Sequence, residues 1–346
     1  MAQQRSGNGC LVAAIAGGVV VALGVSVLAA VAVTAMLSAR GDGAGWTSSQ
    51  EEGGVDEFPQ LERTWSYGSG ETTVVRIPVV GVITRSTASG LFGELSDPVG
   101  EVLACIQDAT QDEDVMAIIL EVDSPGGEVT ASDVIYKALL DFKKAKAGRK
   151  VVALFGDVAA SGAYYIAMAA DYILVQPTTV TGSIGVLIST VNFKELGDMF
   201  GVKDVTIKSG VNKDLLNPLS EVSPAHLAIM QGVVDEVYGR FVSLVVAGRK
   251  LPEAEVRAVA DGRILTANQA LAAKLVDGVG YWDDAVNKTA ELVGVKTVKV
   301  FKYEQRESLW DLLRASASAG SRLSLKGSVK GLLEPQSPRF MYLWKP

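Results

Sequence analysis

The chain has 346 residues, 48% of them apolar, and a net charge of −7. It is long enough for one large domain or two small ones, and its acidic balance argues against nucleic acid or anionic lipid as the main partner. Two cysteines, Cys10 and Cys105, are too few and too far apart in sequence to make a disulfide framework or a zinc site.

The first element is a membrane anchor. Residues 10–39 carry no charge, and at 1.5 Å per residue a helix of that length exceeds the ~30 Å hydrocarbon core. A cleaved secretory signal is the competing reading, but its apolar core would be about half as long. Residues 1–9 form a short amino-terminal tail. Arg5 precedes the helix and Arg40 follows it, so basic residues nearly tie, and the amino terminus tips the orientation toward inside. The bulk of the chain is then expected on the extracytoplasmic side of a cytoplasmic membrane, as a single-pass protein. Ala13, Gly17, Gly18 and Ala22 offer a small-residue face, which ordinary composition explains equally well.

Residues 40–72 are rich in Gly, Ser and Glu and read as a flexible linker. Apolar runs then alternate with helical patterns. Strands are expected at residues 74–83, 115–122, 150–155, 172–175 and 205–207. A helix is expected over about 130–146, with Val134, Ile135, Ala138, Leu139 and Phe142 on one face, and Ser161 opens another. Cys105 falls in an apolar helical pattern with Val102, Leu103 and Ile106 and reads as a small core residue. Buried Val/Ile runs alternating with helices indicate an α/β fold with a parallel sheet. Ser223 and Pro224 start a long helix reaching about Gly248, followed by short helices. No internal repeat is visible, so residues 73–300 read as one domain. Residues 301–346 are a tail, partly mobile, whose aromatic end (Phe340 to Trp344) is expected to dock back onto a surface of this chain or of a neighbouring copy.

The chemistry centres on Ser161. It sits among small residues, is followed by Gly162, and precedes an apolar helical run, the pattern of a nucleophile at a strand-to-helix turn. Such a serine needs a base. The one histidine, His226, lies at a helix start just after Pro224 and is a poor candidate, so a lysine is expected. A lysine base must be neutral part of the time, which an apolar pocket free of carboxylates favours. Lys208 and Lys213 both follow the strand expected at 205–207, and the residues alone do not choose between them. Gly126 and Gly127 end a strand and let backbone N–H groups approach a ligand, and the Gly162 N–H opens a helix. Together they have the makings of an oxyanion hole, although a Gly pair after a strand is more often a turn. In the tight loop Thr181 to Gly185 a hydroxyl could aim the lysine, or simply serve the turn.

Taken in order, residues 123–127 (DSPGG), 159–165 (AASGAYY), 181–185 (TGSIG) and 207–214 (IKSGVNKD) resemble the bacterial signal peptide peptidase A family. These are Ser–Lys peptidases on the Clp protease/crotonase-like fold of repeated β-β-α units. The resemblance covers about residues 74–300, and the ending Pro338 to Leu343 is also family-like. It implies Ser161 as nucleophile, Lys213 rather than Lys208 as general base, Ser183 as the hydroxyl that orients the lysine, and Gly127 and Gly162 as oxyanion donors. Where family members often carry two glycines after the serine, this chain has Gly162 and Ala163. The resemblance also implies the short, single-domain form of the family. It would be a homo-oligomer whose serine and lysine can come from adjacent subunits, acting on remnant signal peptides and similar apolar peptides at the membrane with no metal or organic cofactor. Small or aliphatic substrate side chains are expected, and slow self-cleavage is expected in the small-residue run Ala315 to Ala319. The competing readings are a related Ser–Lys protease acting on other membrane or secreted proteins, a crotonase-like acyl-CoA enzyme, and a scaffold with a dead site.

Overall fold

The structure is a computed structural model and describes residues 61–85, 97–304 and 341–343. The anchor expected at 10–39, the run 315–319 and residues 86–96 lie outside them. No helix among the described residues is long and apolar enough to cross a membrane.

In chain order the elements are β1 (Glu62–Tyr67), β2 (Thr72–Val80), α1 (Pro98–Gln111), β3 (Val115–Ser124), β4 (Gly126–Glu128), α2 (Val129–Ala145), β5 (Lys150–Ala160), α3 (Gly162–Ala167), β6 (Tyr172–Val175) and β7 (Val180–Gly182). They continue with α4 (Lys194–Met199), α5 (Pro224–Arg249), α6 (Glu253–Val259), β8 (Ile264–Thr266), α7 (Ala267–Ala272), β9 (Gly278–Val279), α8 (Trp282–Leu292), β10 (Val298–Glu304) and β11 (Met341–Leu343). The main sheet has the order β1-β10-β2-β3-β5-β6-β9, with β7 joined to β5 and β8 joined to β7. All of its pairings are parallel except β1 with β10 and β7 with β8. This is the mixed α/β architecture, with a mostly parallel sheet, that the alternating pattern predicts.

Both faces of the sheet are covered, which is why its central strands are apolar along their whole length rather than at every second residue. Val75, Ile77, Ile118, Leu120, Val151, Ala153 and Phe155 face a large core with α1, α2, α3 and α5. Their neighbours Val74, Ala117, Ile119, Val152 and Leu154 face the opposite side, where α8 supplies Ala285, Val286 and Ala290. Helix α1 starts on an Asp97 cap, whose carboxylate accepts from the Gly100 N–H, with Pro98 at the first helical position. Cys105 lies on α1, half-buried rather than fully packed.

Two local readings change. Residues 205–207 form no strand. Val205 and Ile207 are exposed and pair with nothing in either sheet, so this apolar run has no neighbouring edge to join among the described residues. And β1, inside the stretch read as linker, pairs antiparallel with β10 from Glu62 opposite Glu304 to Tyr67 opposite Val300.

The feature that builds the site is a change of partner along β5. From Val152 to Phe155 this strand pairs with β6. Its register against β3 then slips between Val122 and Ser124, and the Val158 N–H is taken up by the Asp123 carboxylate at 3.0 Å. Beyond the slip, Val158–Ala160 pairs with β7 instead. The sheet therefore parts at the carboxyl ends of its strands, where α/β folds place ligands.

Candidate active site

Ser161 stands at that parting, between β5 and α3. Its backbone is left-handed, with φ 56° and ψ −116°. A non-glycine residue there costs on the order of 1–3 kcal/mol, and such strain clusters at functional positions. The conformation is pinned from both sides. The Ser161 N–H donates to the Gly182 carbonyl at 2.9 Å, and its own carbonyl accepts from the Tyr165 N–H at 2.9 Å. Ser161 is 1% exposed. Ser183, directly after β7, is also left-handed (φ 50°) and buried, with its N–H on the Arg263 carbonyl at 2.7 Å. Both serines line one cavity of about 520 Å³, together with Leu187, Tyr238 and Leu343.

The glycines meet at the same place. Gly127 lies in β4, tucked against residue Ile83; a Cβ on it would come within 2.1 Å of the Ile83 carbonyl oxygen, so only glycine allows this approach. Gly162 opens α3, where a Cβ would stand 2.5 Å from Ser132 Oγ and 3.1 Å from the Gly127 nitrogen. The two backbone amides expected to serve as oxyanion donors are thus neighbours. The neighbouring Gly126, at φ 95°, would put a Cβ 2.6 Å from the Gly162 nitrogen.

A peptide strand already occupies this spot. β11 pairs antiparallel with β4, with Tyr342 opposite Gly127 and Leu343 opposite Gly126. On its other side Met341 exchanges both backbone hydrogen bonds with Leu187, at 3.1 Å each. The expectation that the aromatic end docks back holds for these three residues, and the surface is β4 of the same chain.

The structure does not bring the lysine to the serine. Lys213 lies on an exposed turn of the 200–222 segment and does not line the cavity that holds Ser161 and Ser183. Its side chain has no hydrogen-bond or ion-pair partner among the described residues. Lys208, by contrast, is tied to both Asp214 carboxylate oxygens, at 2.6 and 2.7 Å. The hydrogen bond from Lys208 holds the Asp214 carboxyl below the usual carboxylate range. The segment around Lys213 is apolar yet unpacked: Ile207 is 98% exposed, and Met199, Phe200, Val205 and Val211 are nearly as bare.

Sequence reasoning missed the polar cluster beneath the site. The Tyr165 hydroxyl donates to Asp133 at 2.6 Å and accepts from Arg240 Nε at 3.0 Å, while Arg240 also pairs with Asp133 at 2.5 Å. Burial, and then the Asp133 hydrogen bond, push the Tyr165 phenol well above its ordinary range. The hydrogen bond to Asp133 likewise raises the Arg240 guanidinium. The three residues come from α2, α3 and α5, and nothing in their local sequence marks the meeting. Among the described residues no group of His, Cys, Asp and Glu side chains is arranged to hold a metal ion.

Residues 143–296 match peptidase family S49. A relative from Synechocystis sp. that carries a protease name is 36% identical over 75% of this chain and 88% of its own length. One from Enterococcus faecium, named for signal peptide peptidase SppA, is 35% identical over 70% of each chain. The chain belongs to peptidase family S49. Protease 4 of Salmonella typhi is 36% identical over 66% of this chain but only 36% of its own. Membership makes this S49 chain a protease and leaves the acyl-CoA reading without support.

Proposed function

We propose that this S49 protease is a serine endopeptidase working through a Ser161–Lys213 pair. The observation that carries the reading is the strained Ser161 at the end of β5, with the Gly127 and Gly162 amides beside it and a paired peptide strand lying across them. In this reading neutral Lys213 takes the Ser161 proton and Ser183 holds the amine in line. Ser161 Oγ bonds to the scissile carbonyl carbon, and the developing oxyanion rests on the two amides. The C–N bond then breaks as the leaving nitrogen takes the proton from Lys213. Water, deprotonated by Lys213, releases the acyl group and restores the serine.

Lys213 would come from a neighbouring copy. Its absence from the Ser161 cavity and the bare apolar residues on its own segment support this, since burying Phe200, Val205 and Ile207 against a second copy would remove costly exposed surface. We further propose that the uncharged stretch 10–39 anchors the protein in the cytoplasmic membrane with the protease domain outside. Remnant signal peptides and similar apolar segments would be its substrates, in keeping with the name of the Enterococcus faecium relative.

A fluorophosphonate probe should label wild type at Ser161, and a Ser161→Ala variant not at all. Mixing inactive Ser161→Ala with inactive Lys213→Ala protein should restore part of the peptidase activity. Labelling elsewhere, or full activity in either variant, would remove the Ser–Lys assignment; mixtures that stay inactive would remove the shared site.

A further inference from the structure

Where β5 leaves β6 for β7, three side chains take up main-chain groups of β5. Asp123 accepts from the Val158 N–H at 3.0 Å. The Thr179 hydroxyl donates to the Gly156 carbonyl at 2.7 Å, with the Phe155 carbonyl at 3.2 Å. The Thr181 hydroxyl donates to the Ala159 carbonyl at 2.6 Å. Both threonines are buried, Thr181 completely. Valine would match threonine in shape and in preference for a strand, so the hydroxyl is what these positions add.

The two threonines act at different places. Thr179 serves the bend itself, at residues 155 and 156. Thr181 stands in register with Ala159, so its bond joins the residue two before Ser183 to the residue two before Ser161. β7 has only three residues. So short a strand has few ladder bonds to hold its register, and a slip of one residue would turn its side chains to the opposite face. Ser183 would then leave the cavity it shares with Ser161. The same register delivers the Gly182 carbonyl to the Ser161 N–H, the bond that pins the nucleophile in its left-handed conformation.

We propose that Thr181 is a positioning residue of this protease: its hydroxyl, clasped on the Ala159 carbonyl, fixes the register of β7 against β5 and thereby the placement of Ser183 relative to Ser161. Thr181 touches no reacting atom and acts through the two serines. The proposal rests on the Ser–Lys reading for what those serines do, and on the hydrogen bonds alone for how they are held.

The test uses full-length protein carrying Thr181→Val, which removes the hydroxyl, or Thr181→Ser, which keeps it. Thr289→Val is the control, since the buried Thr289 hydroxyl makes the same kind of bond, to the Ala285 carbonyl at 2.7 Å, within α8 on the other face of the sheet. Thr181→Val should lower kcat on a fluorogenic peptide by about 10-fold or more with KM within about 2-fold, while Thr181→Ser and Thr289→Val stay within about 3-fold of wild type. The acidic limb of kcat/KM against pH should move upward in Thr181→Val, because a hydrogen bond to the neutral amine holds its pKa down and a displaced Ser183 no longer makes it. Hydrogen exchange at the Ser161 amide should quicken by about 10-fold or more in Thr181→Val alone. Wild-type kcat in Thr181→Val, an unmoved pH limb, or a loss that Thr181→Ser or Thr289→Val shares would overturn the clasp. Should Thr181→Val fail to fold, Thr181→Ser decides by itself: wild-type exchange and kcat uphold the hydroxyl, and a loss of either overturns it. Exchange also separates the two readings. Faster exchange in Thr181→Val, in a protein whose Ser161 never takes the fluorophosphonate, would sink the Ser–Lys mechanism and leave the clasp standing. Unchanged exchange in a protein labelled at Ser161 would sink the clasp alone.

Discussion

The two halves of the proposed site are built in opposite ways. Ser161, Ser183, Gly127 and Gly162 sit on strand ends and a helix start inside the core, each fixed by backbone hydrogen bonds or by contacts too close for a side chain. Lys213 sits on a turn whose apolar neighbours face solvent. The nucleophile and the oxyanion amides need preorganisation, because their work is done by fixed dipoles at fixed distances. The segment that carries the proposed base is left unpacked by the described residues, with Phe200 and Ile207 exposed.

The largest expected effect breaks both halves at once. Ser161→Ala and Lys213→Ala should each lower kcat by about 10⁴-fold or more, measured on a fluorogenic peptide with each variant's melting temperature checked against wild type. Losses of only a few-fold in Lys213→Ala would move the base elsewhere and end the comparison. The buried half is probed next. Gly162→Ala should cost about 10²–10³-fold by displacing an amide, since its Cβ meets Ser132 Oγ at 2.5 Å. Removing that oxygen in a Gly162→Ala/Ser132→Ala double variant should recover part of the loss, whereas no recovery would show that the clash lies with the backbone neighbours instead.

The exposed half is sharpened by charge. Ile207→Asp should leave the melting temperature within a few degrees, because the side chain is 98% exposed. It should also shift the protein to smaller species in analytical ultracentrifugation, with a drop in activity of about 10-fold or more. An unchanged assembly with full activity would mean that this face is not an interface. The smallest effect is Lys208→Ala. It removes an ion pair to Asp214 at the surface, which solvent screens, and should change kcat less than about 3-fold, which separates it cleanly from Lys213.

The same contrast governs what could be read from residues alone. β3 and β5 were legible because continuous Val/Ile/Ala runs fit little but a strand covered on both faces. The strand-to-helix turn at Ser161 was legible because small residues followed by an apolar helix leave a local trace, and the structure adds its strained backbone. The expected strand at 205–207 failed because V-T-I has the composition of a strand without an edge to join, and edges are a property of the whole sheet. The Tyr165–Asp133–Arg240 cluster and the packing of Tyr342 against Tyr165 and Phe241 could not be found in advance, since each joins residues far apart in sequence whose own neighbours carry no pattern. The docking of the chain end was legible as a tendency of an aromatic run, while its register against Gly127 was not.

β4 is only three residues long, and both of its borders are taken, one by Ile83 and the other by β11. Once the closing strand departs, a row of unsatisfied N–H and C=O groups lies open, and such a row accepts any extended backbone that reaches it. A fragment so short can grip main chain but cannot discriminate among sequences. The resting molecule thus keeps its stickiest border stoppered, and a would-be guest must outcompete a tethered plug whose local concentration is high. An extended backbone laid along that border is the shape that would take the place of β11.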